Sequence, residues 1–237
     1  MSKPGKKRSL GSFLRETALT RRYAASRYPH ALDYDWATIP HGRAEIVNLL
    51  LSADRGGRYL EIGCAANELF DAVAAKHKIG VDPARGGTHR LTSDQFFAAN
   101  AELFDVVFID GLHVYPQVRR DLVNALAAVR AGGWVALHDM LPRDWIEEHV
   151  PQISTRAWTG DGWKVAFELL GGRDLDFRII AADHGIAVIK VLGEEPRLPD
   201  LSGELDSLRF RDFHRRFPEL PVVDFPAGRA WIESHLA

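Results

Sequence analysis

The fold is decided by the stretch Arg58-Tyr-Leu-Glu-Ile-Gly-Cys-Ala-Ala-Asn67, in which an apolar strand leads directly into a turn at Gly63. Glycine has the backbone freedom that a chain needs where a strand reverses direction. Leu69, Phe70 and Val73 follow at the spacing of a helix. A buried strand, a tight turn and a helix in this order form the first unit of an open α/β sheet.

Three further apolar runs have the length of buried strands, and helical patterns separate them. The strands are predicted at 78–81, 104–109 and 134–137, and a helix from about Val114 is predicted to close at Gly132-Gly133. Strands that alternate with helices pair in parallel and are covered on both faces. The sequence therefore predicts an α/β fold with a doubly wound, mostly parallel, Rossmann-like sheet.

The pattern changes towards the end of this region. Two apolar runs at 177–180 and 186–191 are separated only by a short turn that contains Asp183-His184-Gly185. Two strands this close in sequence form a hairpin. The sheet is therefore predicted to finish with a C-terminal antiparallel hairpin strand.

The two flanks lack this regular pattern. We assign residues 43–192 to the α/β domain, 193–237 to a C-terminal extension and 1–10 to a disordered basic tail. Residues 11–42 mix aromatic residues with arginines, and we interpret them as short helices and a loop. This N-terminal extension is either a lid over the cleft, a contact in a homodimer, or a surface extension packed on the domain.

Composition and charge argue against several classes of protein. With 30 basic and 32 acidic residues, the net charge of -2 does not favour general capture of nucleic acid or of an anionic membrane. No apolar run has the length of a membrane span, and no apolar segment of a secretory signal follows the basic N-terminus. The single cysteine, Cys64, leaves no internal disulfide framework. We expect a cytoplasmic protein that acts on a small molecule.

Polar residues end each of the four predicted parallel strands. They are Glu61, Asp82, Asp110 and the pair His138-Asp139. Parallel strands end on the same edge of a sheet, and ligands of open α/β sheets bind outside that edge. Four such strand ends in succession predict a functional site.

The turn after the first strand favours one kind of ligand. A dinucleotide-binding turn needs three glycines in the pattern G-x-G-x-x-G, and this turn has only Gly63. The carboxylate of Glu61 suits an ammonium group, and Asp82 is placed to accept hydrogen bonds from a ribose diol. The small Ala65 lets a ligand approach the backbone, and helix amides from about Asn67 onward face it. These features favour an amino-acid nucleoside over NAD.

Several stretches in this order resemble class I S-adenosylmethionine-dependent methyltransferases. They are 59–67, 78–83, 92–97, 104–113, 132–139 and 158–164. The resemblance covers roughly residues 43–192 and is to a bacterial branch related to the small-molecule and sugar O-methyltransferases, methyltransferase domain family 24. It implies the class I methyltransferase fold and S-adenosylmethionine as the cofactor. The chain departs from the family at Ala65, where many members carry glycine.

The resemblance also assigns the residues that bind the cofactor. They are Glu61, Gly63, Ala65, Asn67, Asp82, Ser93, Asp94 and Asp110. Under this assignment Glu61 binds the methionine amino group, Asp82 binds the ribose hydroxyls, and Ser93 and Asp94 lie beside the adenine. From the residues alone, Asp94 is equally compatible with an N-cap on a helix that begins at Gln95.

Catalysis is assigned to the later strand ends. Methyl transfer to oxygen needs alignment of the acceptor and often removal of its proton. His113 is the candidate general base, because the unperturbed pKa of histidine, near ~6.5, suits proton removal at neutral pH. Asp110 and Asp139 are its candidate partners, and Asp139 orients either His113 or the acceptor. Alternatively, His113 caps the following helix or packs under the loop.

The same strand ends are also candidates for a metal site. Related sugar and macrolide methyltransferases hold Mg²⁺ with carboxylates at these positions, which makes Asp110 and Asp139 candidate ligands. His138 stands where a second adjacent carboxylate is expected, and imidazole does not suit this hard cation. The acceptor is predicted to contact His138, Trp158, Asp161 and Trp163. The spacing of Trp163 also fits a core residue.

The sequence thus predicts an enzyme that transfers a methyl group from S-adenosylmethionine to a hydroxyl of a small molecule. By resemblance, this acceptor is a sugar or a secondary metabolite. One alternative is an NAD-dependent oxidoreductase. The single glycine of the turn and the lack of a Tyr-x-x-x-Lys pair argue against it. The other alternative is a methyltransferase-fold protein that binds the cofactor without catalysis. The presence of Asp110, His113 and Asp139 in the predicted cleft argues against it.

Overall fold

A computed structural model describes residues 9–52 and 57–236 of the chain. Of the predicted tail, residues 1–8 lie outside the described residues, and Leu10 is already the first residue of a helix. Ser9 is the N-cap of that helix, because its side chain accepts a hydrogen bond from the backbone N–H of Ser12. The first helix thus includes the last residue of the predicted tail.

The described residues form a seven-stranded sheet in the order β2-β1-β3-β4-β6-β5-β7. The strands are β1 (Arg58–Ile62), β2 (His77–Val81), β3 (Phe104–Ile109), β4 (Val129–Leu137), β5 (Leu175–Ile180), β6 (Ile186–Val191) and β7 (Val222–Val223). Strands β1 to β4 pair in parallel, as the alternation of strands and helices predicted.

Helices cover both faces of this sheet and form the two flanks. They are α1 (Leu10–Arg22), α2 (Arg43–Leu51), α3 (Glu68–Ala72), α4 (Ser93–Ala99), α5 (Tyr115–Ala128), α6 (Trp145–Glu148), α7 (Val165–Leu169), α8 (Ser202–Leu205), α9 (Phe210–Arg216) and α10 (Phe225–Ser234). In the part of the chain that the structure describes, no helix combines the length and the apolar character needed to cross a membrane.

The strands are buried on both faces because their side chains alternate between two cores. In β3, Val107 and Ile109 belong to the core that contains the buried residues of α5. Val106 and Phe108 belong to the other core, which contains the buried residues of α2. The continuous apolar run 104–109 thus reflects a doubly wound sheet, and the predicted fold class is confirmed.

The boundary between α5 and β4 differs from the prediction. The helix ends at Ala128, and Gly132-Gly133 lies within β4 instead of closing the helix. Val129 fits the helical spacing but pairs with Phe104 of β3 as the first residue of its strand. The register with β3 shifts before Val106, and Gly132 has a φ of +76°, which glycine adopts without steric cost.

The predicted hairpin is present, and its place in the sheet decides which residues reach the site. Strand β6 is antiparallel to both β4 and β5 and lies between them. Residues 222–223 of the predicted C-terminal extension form β7, which pairs in parallel with β5. Because β5 runs in the same direction as β4, the turn that follows β5 lies on the same edge as the ends of β1 to β4.

The N-terminal extension packs on the segment that follows β4. The Glu16 carboxylate in α1 accepts hydrogen bonds from the Thr155 N–H at 2.8 Å and from the Thr155 hydroxyl at 2.7 Å. The Leu32 N–H donates to the carbonyl oxygen of Arg143 at 2.8 Å. The Tyr23 ring lies 4.5 Å from the His149 ring. This packing brings Arg43, the first residue of α2, to the edge of the sheet that carries the strand-end acids.

Candidate active site

A cavity of about 920 Å³ opens at the carboxyl edge of the parallel strands. This volume lies in the range of small-molecule sites. Eleven of the predicted site residues line it: Glu61, Gly63, Ala65, Asp82, Ser93, Asp94, Asp110, His113, His138, Asp139 and Trp158. Asn67, Asp161 and Trp163 do not line it. The structure thus gathers most of the predicted cofactor and catalytic residues around one cavity.

Gly63 begins the turn that forms one wall of the cavity. Its φ is +88°, and a Cβ atom at this position would lie 2.1 Å from the carbonyl oxygen of Asp110. Both the backbone conformation and the close approach of the end of β3 therefore require glycine. Ala65 also has a positive φ, of 45°, and its N–H donates to Asp82 Oδ2 at 2.9 Å. The backbone of this turn thus accommodates alanine at a positive φ.

Asn67 stabilises the turn by a hydrogen bond to a neighbouring loop. Its Oδ1 accepts a hydrogen bond from the Gly87 N–H at 2.7 Å, which ties the turn to the loop after β2. Its φ of 63° is one that asparagine tolerates better than most residues. The role that the structure gives Asn67 is therefore to hold two loops together.

Asp82 is the acid at the end of β2. Its Oδ1 accepts from the N–H groups of Ala84 and Arg85, both at 2.8 Å. Burial raises the pKa of Asp82, but the hydrogen bonds from Arg85, Ala65 and Ala84 outweigh this effect and hold the pKa below its usual value. The carboxylate is therefore ionised and fixed at the cavity wall.

Glu61, at the end of β1, is a buried acid with an unusual environment. Only 1% of the residue is exposed, and the Tyr59 hydroxyl donates to Glu61 Oε2 at 2.6 Å. Burial raises the pKa of Glu61 to about 7, against the opposing effect of the hydrogen bond from Tyr59. Among the described residues, no lysine or arginine forms an ion pair with Glu61. A ligand ammonium group would supply the missing positive charge.

Ser93 and Asp94, at the start of α4, contact the first turn of α5. The side-chain amide of Gln117 in α5 donates to Ser93 Oγ at 3.1 Å, to Asp94 Oδ1 at 3.2 Å and to Asp121 Oδ1 at 2.9 Å. Gln117 and Asp121 also line the cavity, and sequence reasoning did not single them out.

The alternative role of Asp94 as an N-cap is wrong. The N-cap of α4 is Thr92, whose hydroxyl accepts from the Gln95 N–H while the Gln95 side chain accepts from the Thr92 N–H. This reciprocal capping box satisfies two backbone donors and starts the helix at Ser93. Asp94 lies in the first turn with an exposed carboxylate, which leaves it available to a ligand.

His113 lies between two carboxylates at the ends of β3 and β4. Its Nδ1 is 2.9 Å from Asp139 Oδ2 and 3.0 Å from the carbonyl oxygen of Trp158. Its Nε2 is 3.3 Å from Asp110 Oδ1. The imidazole also stacks on the Trp158 ring, with centroids 5.5 Å apart. His113 does not cap α5, because the N-cap residue is Val114 and the Tyr115 N–H of the first turn donates to Asp161 Oδ1.

His138 lies beside the same carboxylates and is more deeply buried. Its Nδ1 is 3.2 Å from Asp110 Oδ1 and 3.4 Å from Asp139 Oδ2. Its Nε2 is 3.5 Å from Asp183 Oδ1. The imidazole therefore lies among three acids, and Asp183 is a residue that sequence reasoning noted only as part of a turn.

Arg43 completes this cluster. Its Nη1 is 2.5 Å from Asp110 Oδ2, and its Nε is 3.2 Å from Asp183 Oδ2. Sequence reasoning treated Arg43 as a domain boundary and did not predict a role for it. The position of Asp183 in the turn after β5 could have indicated part of this cluster. Because β5 runs parallel to β4, that turn lies on the edge of the sheet that carries the other acids.

The charges of the cluster stabilise one another. Burial lowers the pKa of His113, but hydrogen bonds with Asp110 and Asp139 and the charges of both acids raise it to about 10. The expectation of a pKa near the unperturbed value is therefore wrong, and the imidazole is protonated at neutral pH. Burial raises the pKa values of Asp110 and Asp139, but His138 and His113 hold both well below the usual range.

Two residues predicted to contact the acceptor belong to the core instead. Trp163 is fully buried and packs against Phe167 and Phe213. Asp161 accepts hydrogen bonds from the Tyr115 N–H and from Lys164 Nζ, both at 2.7 Å. Their predicted direct contact with the acceptor is not supported, because the hydrogen bonds and packing of both residues are internal. His138 and Trp158 do line the cavity.

The edge cavity, its glycine turn and its strand-end acids define a ligand-binding site at the carboxyl edge of an open α/β sheet. A family model described as a methyltransferase domain matches residues 8–140, more than half of the 237 residues. The chain belongs to this family, and the predicted membership of the S-adenosylmethionine-dependent methyltransferases is confirmed. A comparison with curated proteins finds no match.

Solved structures with a similar fold include two methyltransferases. An O-methyltransferase from Bacillus cereus in complex with S-adenosylhomocysteine is 15% identical, with a TM-score of 0.43 over 78% of this chain and 93% of that chain. The O-methyltransferase TomG from Streptomyces achromogenes, in complex with S-adenosylmethionine, is 17% identical, with a TM-score of 0.42 over 78% of this chain and 92% of that chain.

Proposed function

We propose that the chain transfers a methyl group from S-adenosylmethionine to a hydroxyl oxygen of a small molecule, a sugar or a secondary metabolite. The observation that carries this proposal is the position of His113. Its imidazole lies between Asp110 and Asp139 and lines the same cavity as the Gly63 turn. A group that handles protons thus shares one cavity with the residues predicted to bind the cofactor.

The wall formed by the first two strands fits the cofactor. The buried Glu61 carboxyl suits an ammonium group, and the ionised Asp82 suits a ribose diol. Asp94 and Ser93 line the same cavity and are proposed to contact the adenine. When bound, the cofactor supplies an electrophilic methyl group. The residues of this chain align the acceptor with it and exclude water.

His113 is the proposed proton acceptor through its Nε2 atom. Asp139 Oδ2 and the Trp158 carbonyl oxygen hold a proton on Nδ1, which leaves Nε2 as the basic atom. Nε2 must first release to the solvent the proton that it shares with Asp110 Oδ1, and it then takes the hydroxyl proton of the acceptor as the methyl group is transferred. His113 therefore acts in the fraction of molecules in which the imidazole is neutral, and Asp110 and Asp139 orient it.

The test separates binding from catalysis. Calorimetric titration is expected to give about micromolar affinity for S-adenosylhomocysteine and no binding of NAD. A panel of monosaccharides, glycosides and phenols is then screened for release of S-adenosylhomocysteine from S-adenosylmethionine. His113→Ala is expected to keep the affinity and to lower turnover about 10²-fold or more.

The control is His77→Ala, because His77 is a partly exposed histidine at the opposite end of β2. Near-wild-type turnover of His113→Ala would remove His113 from the mechanism. Binding of NAD without binding of S-adenosylhomocysteine would refute the proposed activity as a whole.

A further inference from the structure

The carboxylates at the ends of β3 and β4 are close enough together to be candidate ligands of a divalent cation. Ligand atoms of Asp110, His113 and Asp139 lie within 4.8 Å of one another. Mg²⁺ prefers an octahedral shell of oxygen ligands and keeps several waters. Here one of the three donors is an imidazole nitrogen, and His138 stands beside Asp139 where a second carboxylate would serve the ion. The set of donor atoms thus fits Mg²⁺ poorly.

The contacts of Asp110 also oppose a cation. Its Oδ2 accepts from Arg43 Nη1 at 2.5 Å. Its Oδ1 lies 3.3 Å from His113 Nε2 and 3.2 Å from His138 Nδ1. Both carboxylate oxygens are therefore engaged by donors of this chain. A metal ion that coordinated Asp110 would have to displace the guanidinium group.

Arg43 is anchored in the position from which it contacts Asp110. Asp183 Oδ2 lies 3.2 Å from Arg43 Nε and also accepts from the backbone N–H of Arg43 at 3.3 Å. Asp183 has a φ of 44° and His184 a φ of 63°, so the turn between β5 and β6 adopts a backbone that most residues avoid. Such a conformation persists where surrounding contacts hold it, and it occurs often at functional sites.

We propose that the guanidinium of Arg43, anchored by Asp183, takes the place of a divalent cation at this site, so that methyl transfer by this chain needs no metal. Arginine carries a permanent charge in a planar fork that suits carboxylates. In this role Arg43 is a positioning residue. It neutralises Asp110 and keeps that carboxylate aligned with His113 and His138. The link between Arg43 and turnover rests on the proposed function. The ion pairs of Arg43 with Asp110 and Asp183 do not depend on which acceptor is methylated.

The test uses Mn²⁺ as the probe, because a mixed oxygen and nitrogen donor set suits it better than Mg²⁺. Binding of Mn²⁺ to the full chain is followed by electron paramagnetic resonance. The wild type is expected to bind more weakly than about 1 mM. Arg43→Ala removes one positive charge and frees Asp110 Oδ2, so that its affinity for Mn²⁺ is expected to rise at least about tenfold.

Arg178→Ala is the matched control. The Arg178 side chain is 33% exposed, against 32% for Arg43, and it pairs with Asp176 on β5 away from the cavity. This variant is expected to behave as the wild type. Asp183→Asn keeps Arg43 but weakens its anchor, and a smaller gain in Mn²⁺ affinity is expected. It also keeps the test valid if Arg43→Ala does not fold.

Two results would overturn the inference. One is wild-type binding of Mn²⁺ or Mg²⁺ tighter than about 1 mM at these residues, with turnover abolished by EDTA and restored by Mg²⁺. The other is no gain of Mn²⁺ affinity in folded Arg43→Ala or Asp183→Asn. Titration with S-adenosylhomocysteine is run on the same samples. Its failure would refute the proposed function and leave the metal result standing.

Discussion

Glu61 is the residue at which binding and stability oppose each other. Its pKa of about 7, against an ordinary value of 4.5, means that folding disfavours the carboxylate. Below pH 4.5 Glu61 is protonated in both the folded and the unfolded protein, and its burial costs no charge. As the pH rises from 4.5 to 7, the free energy of unfolding falls, because only the unfolded protein releases the proton freely. At neutral pH and above, the free protein therefore keeps a buried carboxylate that the ammonium group of the cofactor would compensate.

Glu61→Gln is expected to stabilise the free protein at pH 8 and to weaken cofactor binding. Glutamine keeps an oxygen for the Tyr59 hydroxyl and removes the buried charge, so the gain in unfolding free energy at pH 8 is on the order of 1–3 kcal/mol. Urea denaturation at pH 8 and at pH 4.5 measures it, and the difference between variant and wild type should largely disappear at the lower pH. Glu195→Gln, at a side chain that is 74% exposed, is the control. Equal stability of Glu61→Gln and wild type at pH 8 would contradict the buried charge.

The pKa of His113 predicts how turnover depends on pH. Below pH 10 the imidazole is protonated, and the neutral base form increases about tenfold with each pH unit. Turnover at saturating acceptor is expected to rise with a slope of about 1 in a logarithmic plot from roughly pH 7 to pH 9. The slope should disappear in His113→Gln. A flat wild-type profile over this range would instead assign His113 to hydrogen-bond donation and would exclude the proposed base.

At the scale of elements, the loop before α7 fixes the position of His113. Gly160 has a φ of +63°, and a Cβ atom there would lie 1.7 Å from the carbonyl oxygen of His113. The Asp161 N–H donates to that same carbonyl at 3.1 Å, and Asp161 in turn accepts from Lys164. The buried Asp161 and Lys164 thus support the catalytic candidate from the core side.

Gly160→Ala is therefore expected to lower turnover more than cofactor affinity. The methyl group must displace the backbone of His113 and so change its alignment with Asp110 and Asp139, and a shift of about 1 Å can cost 10²-fold in rate. The affinity for S-adenosylhomocysteine, measured by calorimetry, should change little because Glu61 lies in β1 and Asp82 directly after β2, away from this loop. Gly203→Ala is the matched control, since a Cβ atom there meets nothing within 4 Å. Equal turnover of the two variants would show that this loop does not position His113.

At the scale of the whole molecule, the sequence predicted those strands, turns and hairpins whose signal lies within a few consecutive residues. The strand and turn at 58–67, the run 104–109 and the hairpin at 177–191 each carry their signal within a few residues, and the structure has them all. Val129 was placed in a helix because its pairing with Phe104 is a tertiary contact. Arg43 and Asp183 are far apart in the sequence and meet only through the order of the strands. The pKa of His113 depends in the same way on acids from two strands.

The C-terminal extension is expected to be indispensable for folding, although the sequence pattern separates it from the domain. Its Phe210, Phe213 and Leu205 are buried in the core on the α5 side, and Phe225 and Ile232 in the core on the α2 side. Burial of each such side chain contributes about 1.5–3 kcal/mol. Five of them together, about 10 kcal/mol, match the whole stability of an ordinary domain, about 5–15 kcal/mol.

A chain that ends at residue 192 should therefore lack a cooperative thermal transition in circular dichroism and should not bind S-adenosylhomocysteine, since both cores of the sheet lose buried side chains. Removal of residues 235–237 alone is the control. It removes the partly buried His235 and Leu236 but none of the five fully buried side chains, and it should leave both properties intact. A cooperative transition with retained binding in the shorter chain would show that residues 43–192 fold on their own. The proposed roles of the active-site residues would be unaffected, because none of the described residues after 192 lines the cavity.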